Sequence, residues 1–300
     1  MPLRDELASR FPEATVESVH RSAINLRLGT SLATVACESV GGLPMGLLLA
    51  GEPALDRLRV MRGMPVVLGE SEITIPAASL AVDLQGAVTW SPAMPVLSSR
   101  SADLLRRRAA SAVRLAADAP PIGLAPLLSA MAGKPVASGG ALAARVGPAI
   151  ANLLESVAAG DVARAADYAQ PLVGLGPGAT PSGDDLLVGL LAGMAAARHP
   201  HAAALASRIG RQAVGRTTAL SEQFLVDAGR LRFSERVQRI TTVVLVGDAG
   251  ELRAAIEATL AWGASSGADL LAGLLIAIGM DRPELAATLR GLARPSEAAA

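Results

Sequence analysis

The sequence predicts an α+β protein, in which an N-terminal, mostly antiparallel β unit (a small barrel or sandwich) is followed by a larger all-helical unit. Two observations support this class. Before residue 95, short apolar runs alternate with polar residues at a period of two, as in half-buried strands. After residue 95, stretches rich in Ala, Leu and Arg are separated by helix breakers. We therefore expect a β-rich domain over residues 1–95 and a helical domain over residues 96–300.

The strands of the β unit follow from the spacing of apolar residues. Ile24, Leu26 and Leu28 alternate with polar residues, which is typical of a half-buried strand. Later runs are separated by short gaps of turn-forming residues, which indicates hairpins. After a short helix over residues 3–10, we expect a sheet within about residues 14–92, with strands at residues 24–28, 32–38, 47–50, 65–68, 73–75, 80–84 and 88–90.

The helices follow a Pro- and Ser-containing connection at residues 91–99. Their ends are marked by glycines, prolines and short polar side chains, which favour caps and turns. Thr217 or Ser221 is expected to cap the seventh helix. We predict eleven helices, at residues 102–117, 124–131, 142–159, 162–169, 184–198, 202–214, 218–228, 234–246, 250–262, 268–278 and 283–293.

Composition excludes several classes of function. The 27 cationic and 27 acidic side chains balance, which leaves no basic footprint for nucleic acid or for an anionic membrane. Aromatic residues, at 2%, are too few for base stacking. The apolar runs are shorter than the roughly 20 residues that span a bilayer. The charged start lacks a secretion signal and Cys37 is the only cysteine, so we expect a soluble cytoplasmic protein.

The most site-like stretch is the loop GLGPGATPSGDD at residues 174–185, which precedes an apolar helix. Glycine-rich turns that lead into a helix N-terminus direct backbone N–H groups outward, which suits an anion. No lysine follows the glycines, and a helical context argues against a dinucleotide-binding βαβ unit. If phosphate binds here, Asp184 and Asp185 need a neutralising partner, either Mg²⁺ or Arg216. Otherwise these carboxylates accept hydrogen bonds from an N–H-rich ligand such as an amide or ureide.

Part of this loop is repeated later in the chain. Residues 182–191 (SGDDLLVGLL) and residues 266–275 (SGADLLAGLL) are identical at eight of ten positions. Ser182 and Ser266 are predicted N-caps, and Asp185 and Asp269 lie near the positive end of each helix dipole. Small residues four apart let helices approach closely, so we expect the two helices to pack together, with their N-termini facing one pocket. Ordinary capping and packing is the favoured explanation for the second copy alone. In the first copy it does not account for the glycines, the prolines and Thr180 of the loop.

Two further groups of polar residues are weaker candidates. Arg216, Thr217 and Thr218 cluster hydrogen-bond donors between two helices, and they are consistent either with a site or with a capped helix start. His199 and His201 resemble a metal-binding pair, but the sequence offers no third ligand nearby. We therefore interpret that segment as a solvated turn.

Four segments together resemble a known bacterial family. They are the loop and helix start at residues 174–189, the order Arg-Thr-Thr-x-x-Ser at residues 216–221, Phe-Ser-Glu at residues 233–235 and GASSGADLLAG at residues 263–273. The resemblance covers residues 170–280 well. The family is similar to one subunit of the bacterial oxamate carbamoyltransferase, which is encoded with two partner proteins in allantoin-degradation clusters.

The resemblance implies transfer of a carbamoyl group: oxalurate and phosphate give oxamate and carbamoyl phosphate. It implies a small-molecule substrate and a hetero-oligomer with the operon-encoded partners, with neither nucleic acid nor membrane as a partner. No cofactor is required by the sequence, although Mg²⁺ at Asp184 and Asp185 stays open. Family members often carry His where this chain has Ala264. The alternative function is therefore a non-catalytic scaffold or a small-ligand-sensing subunit.

These arguments give a set of site residues. Asp184, Asp185 and Asp269 are the predicted catalytic carboxylates. The predicted substrate- and phosphate-binding residues are Gly176, Gly178, Thr180, Ser182, Gly183, Arg216, Thr217, Thr218, Ser266 and Gly267.

Overall fold

The computed structural model describes residues 14–95, 101–136 and 140–293. The predicted helix over residues 3–10 lies outside these ranges. The chain divides into two compact units, one reaching Pro92 and including Ser234–Arg236, the other formed by Ala93–Phe233 and the chain from Val237 onward. The first unit is built of strands and the second of helices, so the predicted α+β class is confirmed.

The first unit contains one seven-stranded sheet. Its strands are β1 (Ala14–His20), β2 (Ala23–Leu28), β3 (Ser31–Cys37), β4 (Gly46–Leu49), β5 (Pro65–Leu68), β6 (Glu72–Ile75) and β7 (Leu80–Asp83). In the order β4-β3-β2-β1-β5-β6-β7 they form a nearly closed, barrel-like sheet. Neighbouring strands are antiparallel except β3 and β4, which are parallel. The inward side chains form one apolar core that includes Cys37.

One predicted strand, at residues 88–90, is wrong. After β7 the chain turns at Gly86, which has a φ of +72°, and then continues without regular structure. Val88 is 94% exposed, so its apolar character does not reflect burial. The Trp90 ring instead lies against Gly42, where a Cβ atom would come within 2.7 Å of the ring. The alternation at this point comes from one exposed residue and one that covers a glycine, not from strand pairing.

After residue 95 the described chain contains eleven α-helices, and every predicted helix is present with ends shifted by two residues or fewer. They are α1 (Ala102–Ala116), α2 (Ala125–Met131), α3 (Ala141–Ala158), α4 (Val162–Ala169), α5 (Ser182–Ala196), α6 (Ala202–Ala213), α7 (Ala219–Ala228), α8 (Glu235–Val246), α9 (Ala249–Leu260), α10 (Ser266–Ile278) and α11 (Pro283–Gly291).

The two helices that carry the repeated sequence, α5 and α10, pack directly against each other at the centre of the helical core, as predicted. Their contact depends on glycine. A Cβ atom on Gly189 would lie 2.0 Å from the carbonyl oxygen of Leu270, and one on Gly273 would lie 1.9 Å from that of Leu186. These contacts are reciprocal, so the pair has a local two-fold relationship with both N-termini at the same end.

The predicted capping roles of Ser182 and Ser266 are wrong. Each serine is the first residue inside its helix, while Pro181 and Ser265 occupy the N-cap positions without a side-chain capping bond. Because both helices start two residues earlier than predicted, the serine hydroxyls are available for contacts other than capping their own helices.

Candidate functional site

Three carboxyl groups are buried in the first turns of α5 and α10. Asp184 is 1% exposed, Asp185 8% and Asp269 0%. Buried carboxylates need hydrogen bonds or a protonated state, because burial without compensation is costly. Asp184 is fully hydrogen-bonded and holds the glycine-rich loop. Asp185 and Asp269 each have one oxygen without a hydrogen-bond partner among the described residues.

Asp184 fastens the glycine-rich loop. Its Oδ1 accepts a hydrogen bond from the backbone N–H of Gly174 at 2.8 Å. Its Oδ2 accepts from the hydroxyls of Thr217 and of Ser221, the latter at 2.7 Å. With three donors, this carboxylate ties the start of the loop and the segment before α7 to the first turn of α5. Its predicted catalytic role stays a prediction, but its contacts are those of a residue that holds the loop.

Asp185 is disfavoured as an anion. Its pKa is raised to about 8, above all by burial and also by the charges of Asp269 and Asp184, against the opposing effect of the Ser266 and Thr180 hydroxyls. Its Oδ2 has no hydrogen-bond partner in the described part of the chain. The group therefore holds a proton at neutral pH and exchanges it near pH 8.

Asp269 is the counterpart of Asp185 in the second copy. Its Oδ1 accepts from the backbone N–H of Leu124 at 2.5 Å. Burial raises its pKa, while Leu124 and the Ser182 and Ser265 hydroxyls oppose the increase. Its Oδ2, like that of Asp185, is buried without a partner among the described residues.

The serine of each copy lies beside the carboxyl of the other copy. The Ser266 hydroxyl, from the second copy, lowers the pKa of Asp185 in the first. The Ser182 hydroxyl, from the first copy, lowers the pKa of Asp269 in the second. The hydroxyls of Thr180 and Ser266 lie 2.9 Å apart, which joins the glycine-rich loop to the start of α10. The predicted convergence of the two helix N-termini is therefore present, and the shared pocket stays a prediction.

The glycines of the two copies divide into loop and packing positions. The N–H groups of Gly176 and Gly178 donate to nothing in the described chain, and the stretch from Pro177 to Ala179 is exposed. Gly183 and Gly267, by contrast, donate to the carbonyls of Leu175 and Trp262. A Cβ atom at either would come within 2.0 Å of a neighbouring carbonyl oxygen, so these two glycines serve close packing.

The segment before α7 meets the loop from the other side. A Cβ atom on Gly174 would lie 2.5 Å from the carbonyl oxygen of Arg216, so the two backbones are in close contact. The Arg216 side chain is exposed and has no partner in the described chain. The hydroxyl of Thr218 donates to the carbonyl of Ala179 and accepts from the N–H of Ser221. Thr218 therefore caps α7, so the predicted capping by Thr217 or Ser221 is wrong.

Sequence reasoning missed a third wall of the site, formed by Gly123 and Leu124. Besides the Leu124 hydrogen bond, a Cβ atom on Gly123 would lie 2.5 Å from Asp269 Oδ1 and 2.8 Å from its Oδ2. Gly123 also has a φ of +58°. No local pattern points to these residues, since they lie 145 positions before the carboxylate that they contact.

Other polar groups lie away from the acid pair. A cleft of about 480 Å³ is lined by parts of α3 and α11 and by His199, Met280 and Asp281. His199 follows α5 in a turn, and its pKa is lowered by burial and by His201. No group of three or more His, Cys, Asp or Glu in the described ranges is arranged to hold a metal ion. Ala264 is exposed on the turn before α10.

Two protein-family models match the chain. The model for the oxamate carbamoyltransferase subunit AllH matches residues 172–278, and the model for the AllH family N-terminal domain matches residues 2–89. Neither a curated protein nor a solved structure matches the chain. Within the described residues, every helix is too short or too polar to cross a membrane. The two family matches together cover well over half of the sequence, so the chain belongs to the AllH family and is a carbamoyltransferase-associated subunit.

Proposed function

We propose that this subunit takes part in the chemistry of carbamoyl transfer between phosphate and oxamate, with Asp185 as the general acid and base. The observation that carries the proposal is the burial of Asp185 beside Asp269, which raises its pKa to about 8. A general acid works best when its pKa lies near the working pH, because it then both holds and releases a proton readily.

The reaction needs one proton to move. When a phosphate oxygen attacks the carbamoyl carbon of oxalurate, the bond from that carbon to the oxamate nitrogen breaks and carbamoyl phosphate forms. The leaving nitrogen takes up the proton that Asp185 holds, which gives neutral oxamate amide. In the reverse direction the Asp185 carboxylate takes the proton from the amide nitrogen as that nitrogen attacks. The proton of the attacking hydrogen phosphate, released as the new O–C bond forms, restores protonated Asp185, so the proton count balances without a covalent intermediate on the protein.

The anionic part of the substrate is assigned to the glycine-rich loop. The N–H groups of Gly176 and Gly178, which donate to nothing in the described chain, suit phosphate or carboxylate oxygens, as at other helix N-termini. Arg216 supplies the neutralising charge from the adjoining segment. Mg²⁺ fits less well at Asp184 and Asp185, because Asp184 already accepts three hydrogen bonds and burial favours protonated Asp185. We assign no step to a metal ion.

The test uses the complex formed with the operon-encoded partner subunits, assayed with oxamate and carbamoyl phosphate. Asp185→Asn keeps the size of the side chain but removes the transferable proton, so we expect activity to fall by about 10²–10⁴-fold. Asp167→Asn removes an exposed carboxyl on α4 and is the matched control, with unchanged activity.

Full activity of the Asp185→Asn complex would overturn the proposal. It would favour the alternative, a non-catalytic scaffold or ligand-sensing subunit. A thermal-shift panel with phosphate, carbamoyl phosphate, oxamate, oxalurate and ATP, each with and without Mg²⁺, separates a sensor from a scaffold, because only a sensor is stabilised by ligand.

A further inference from the structure

We propose that Asp185 and Asp269 together recognise the NH₂ group of a primary amide, so that the site selects carbamoyl compounds over acyl compounds of the same shape. This deepens the function proposed above and rests on it for the location of the site. It also gives Asp269 a role of its own, as a specificity-determining residue rather than a proton carrier.

The first observation is a pair of unsatisfied acceptors. Oδ2 of Asp185 and Oδ2 of Asp269 are both buried, and neither has a hydrogen-bond partner in the described chain. Both residues are more than nine-tenths buried. A buried acceptor without a donor is unfavourable, so a ligand that brings donors to both oxygens removes two such defects at once.

The second observation is that no cationic side chain of the described chain neutralises either carboxyl. The Leu124 N–H donates to Oδ1 of Asp269, and the hydroxyls of Thr180 and Ser266 lie within hydrogen-bonding distance of each other. No arginine, lysine or histidine in the described chain forms an ion pair with either carboxyl. A ligand can therefore supply the donors that the two Oδ2 atoms lack.

An NH₂ group has the required number of donors. Its two hydrogens can reach two acceptors, and Asp185 and Asp269 occupy equivalent positions in the two copies, each beside a serine of the other copy. A protonated carboxyl at Asp185 also complements a primary amide, since its O–H can donate to the amide carbonyl while its other oxygen accepts from the N–H. A cationic ligand is disfavoured, because burial keeps Asp185 in its neutral form.

A methyl group in place of NH₂ keeps the shape and loses both donors. Sites built around buried polar groups reject such analogues strongly, because the polar groups stay unpaired when the analogue binds. Two comparisons are at hand: oxamate with pyruvate, and freshly dissolved carbamoyl phosphate with acetyl phosphate. Within each comparison the net charge is the same and only the NH₂ group differs.

The experiment measures the dissociation constants of all four compounds by titration calorimetry, with the full chain alone and in complex with its partner subunits. For the wild type we expect each amide to bind at least about tenfold more tightly than its methyl analogue, which corresponds to about 1.4 kcal/mol. Asp269→Asn presents an NH₂ group of its own to the ligand and should bring the ratio close to one. Asp167→Asn on α4 should leave the ratio unchanged.

Equal binding of amide and methyl compounds by the wild type, or no binding of any of the four to chain or complex, overturns the inference. Retained preference in a folded Asp269→Asn chain also overturns it. Should that variant not fold, the wild-type comparison alone decides the matter, because it requires no substitution.

The outcomes are separable from those of the proposed function. If the complex transfers carbamoyl and acetyl groups equally well and Asp185→Asn abolishes both reactions, proton transfer by Asp185 stands and amide selection falls. If the chain prefers amides but the Asp185→Asn complex is fully active, amide selection stands and the catalytic proposal falls.

Discussion

The α-carbon of Gly273 lies so close to the backbone of Leu186 that a Cβ atom there would be 1.9 Å from the Leu186 carbonyl oxygen. The reciprocal pair, Gly189 with Leu270, has a corresponding value of 2.0 Å. The backbones of α5 and α10 therefore touch at two symmetric points. This contact holds the two helix starts, and hence Asp185 and Asp269, next to each other.

Gly273→Ala or Gly189→Ala is expected to destabilise the protein by about 2–3 kcal/mol or more, because the new methyl group must push the helices apart. Chemical denaturation of each variant measures the effect. Gly291→Ala is the matched control, since a Cβ atom at this last residue of α11 has nothing within 4 Å. Its stability should stay within about 1 kcal/mol of the wild type. Wild-type stability in both central variants would show that the close contact is not needed.

The raised pKa of Asp185 makes stability depend on pH in a defined direction. An unfolded Asp titrates near pH 4, whereas Asp185 in the folded protein titrates at about 8. Between these values the folded state holds a proton that the unfolded state has lost, so the free energy of unfolding falls as pH rises. The slope is at most about 1.4 kcal/mol per pH unit for this group. Asp269, whose pKa is also raised, adds in the same direction.

Asp185→Asn removes the Asp185 part of this slope, because asparagine is neutral at every pH in the range. Urea denaturation at pH 5, 6, 7 and 8 should show a shallower decline for the variant, which becomes more stable than the wild type at pH 8. Asp167→Asn should follow the wild-type curve. Identical slopes for wild type and Asp185→Asn would mean that Asp185 is not protonated in the folded state.

The fold could be predicted in most of its elements because the local patterns are strong. Apolar alternation at Ile24, Leu26 and Leu28 and the regular helix breakers after residue 95 both reflect burial in the structure. The pattern failed at Val88 and Trp90, since an apolar residue on an exposed segment looks the same in sequence as one on a strand.

The site was predictable only in part. Because the two copies are nearly identical in sequence, their helices are predicted to pack together with Asp185 and Asp269 near each other. The packing of α5 against α10 confirms the first part of this prediction. Which serine faces which carboxyl could not be derived, because capping by Ser182 of its own helix was the simpler local expectation. The Leu124 contact depends on chain segments far apart in sequence, for which one sequence offers no signal.

Asp184 and Ser221 should behave as one unit in stability measurements. Ser221→Ala removes a donor from a buried carboxylate, which costs about 1–3 kcal/mol, and Asp184→Asn disturbs all three of its hydrogen bonds. The double variant should therefore be less destabilised than the sum of the two single variants. Ser111→Ala, on the exposed face of α1, is the control and should combine additively with Asp184→Asn. Additivity of Asp184→Asn with Ser221→Ala would show that the two side chains do not share an interaction.

Arg216 is expected to act on anion binding without contributing to the fold. Its side chain is exposed and has no partner in the described chain, so Arg216→Ala should leave the melting temperature unchanged. If its guanidinium neutralises a phosphate or carboxylate held at the N–H groups of Gly176 and Gly178, its loss removes a charge-assisted hydrogen bond worth roughly 1.5–3 kcal/mol, or about tenfold or more in affinity. Titration with inorganic phosphate and with oxamate at two salt concentrations measures this, and the variant should also show the weaker salt dependence.

Arg208→Ala, which removes an exposed arginine from α6, should change neither affinity nor salt dependence. Equal phosphate and oxamate affinities for wild type and Arg216→Ala would remove Arg216 from the site and leave the loop N–H groups as the only anion donors assigned to it.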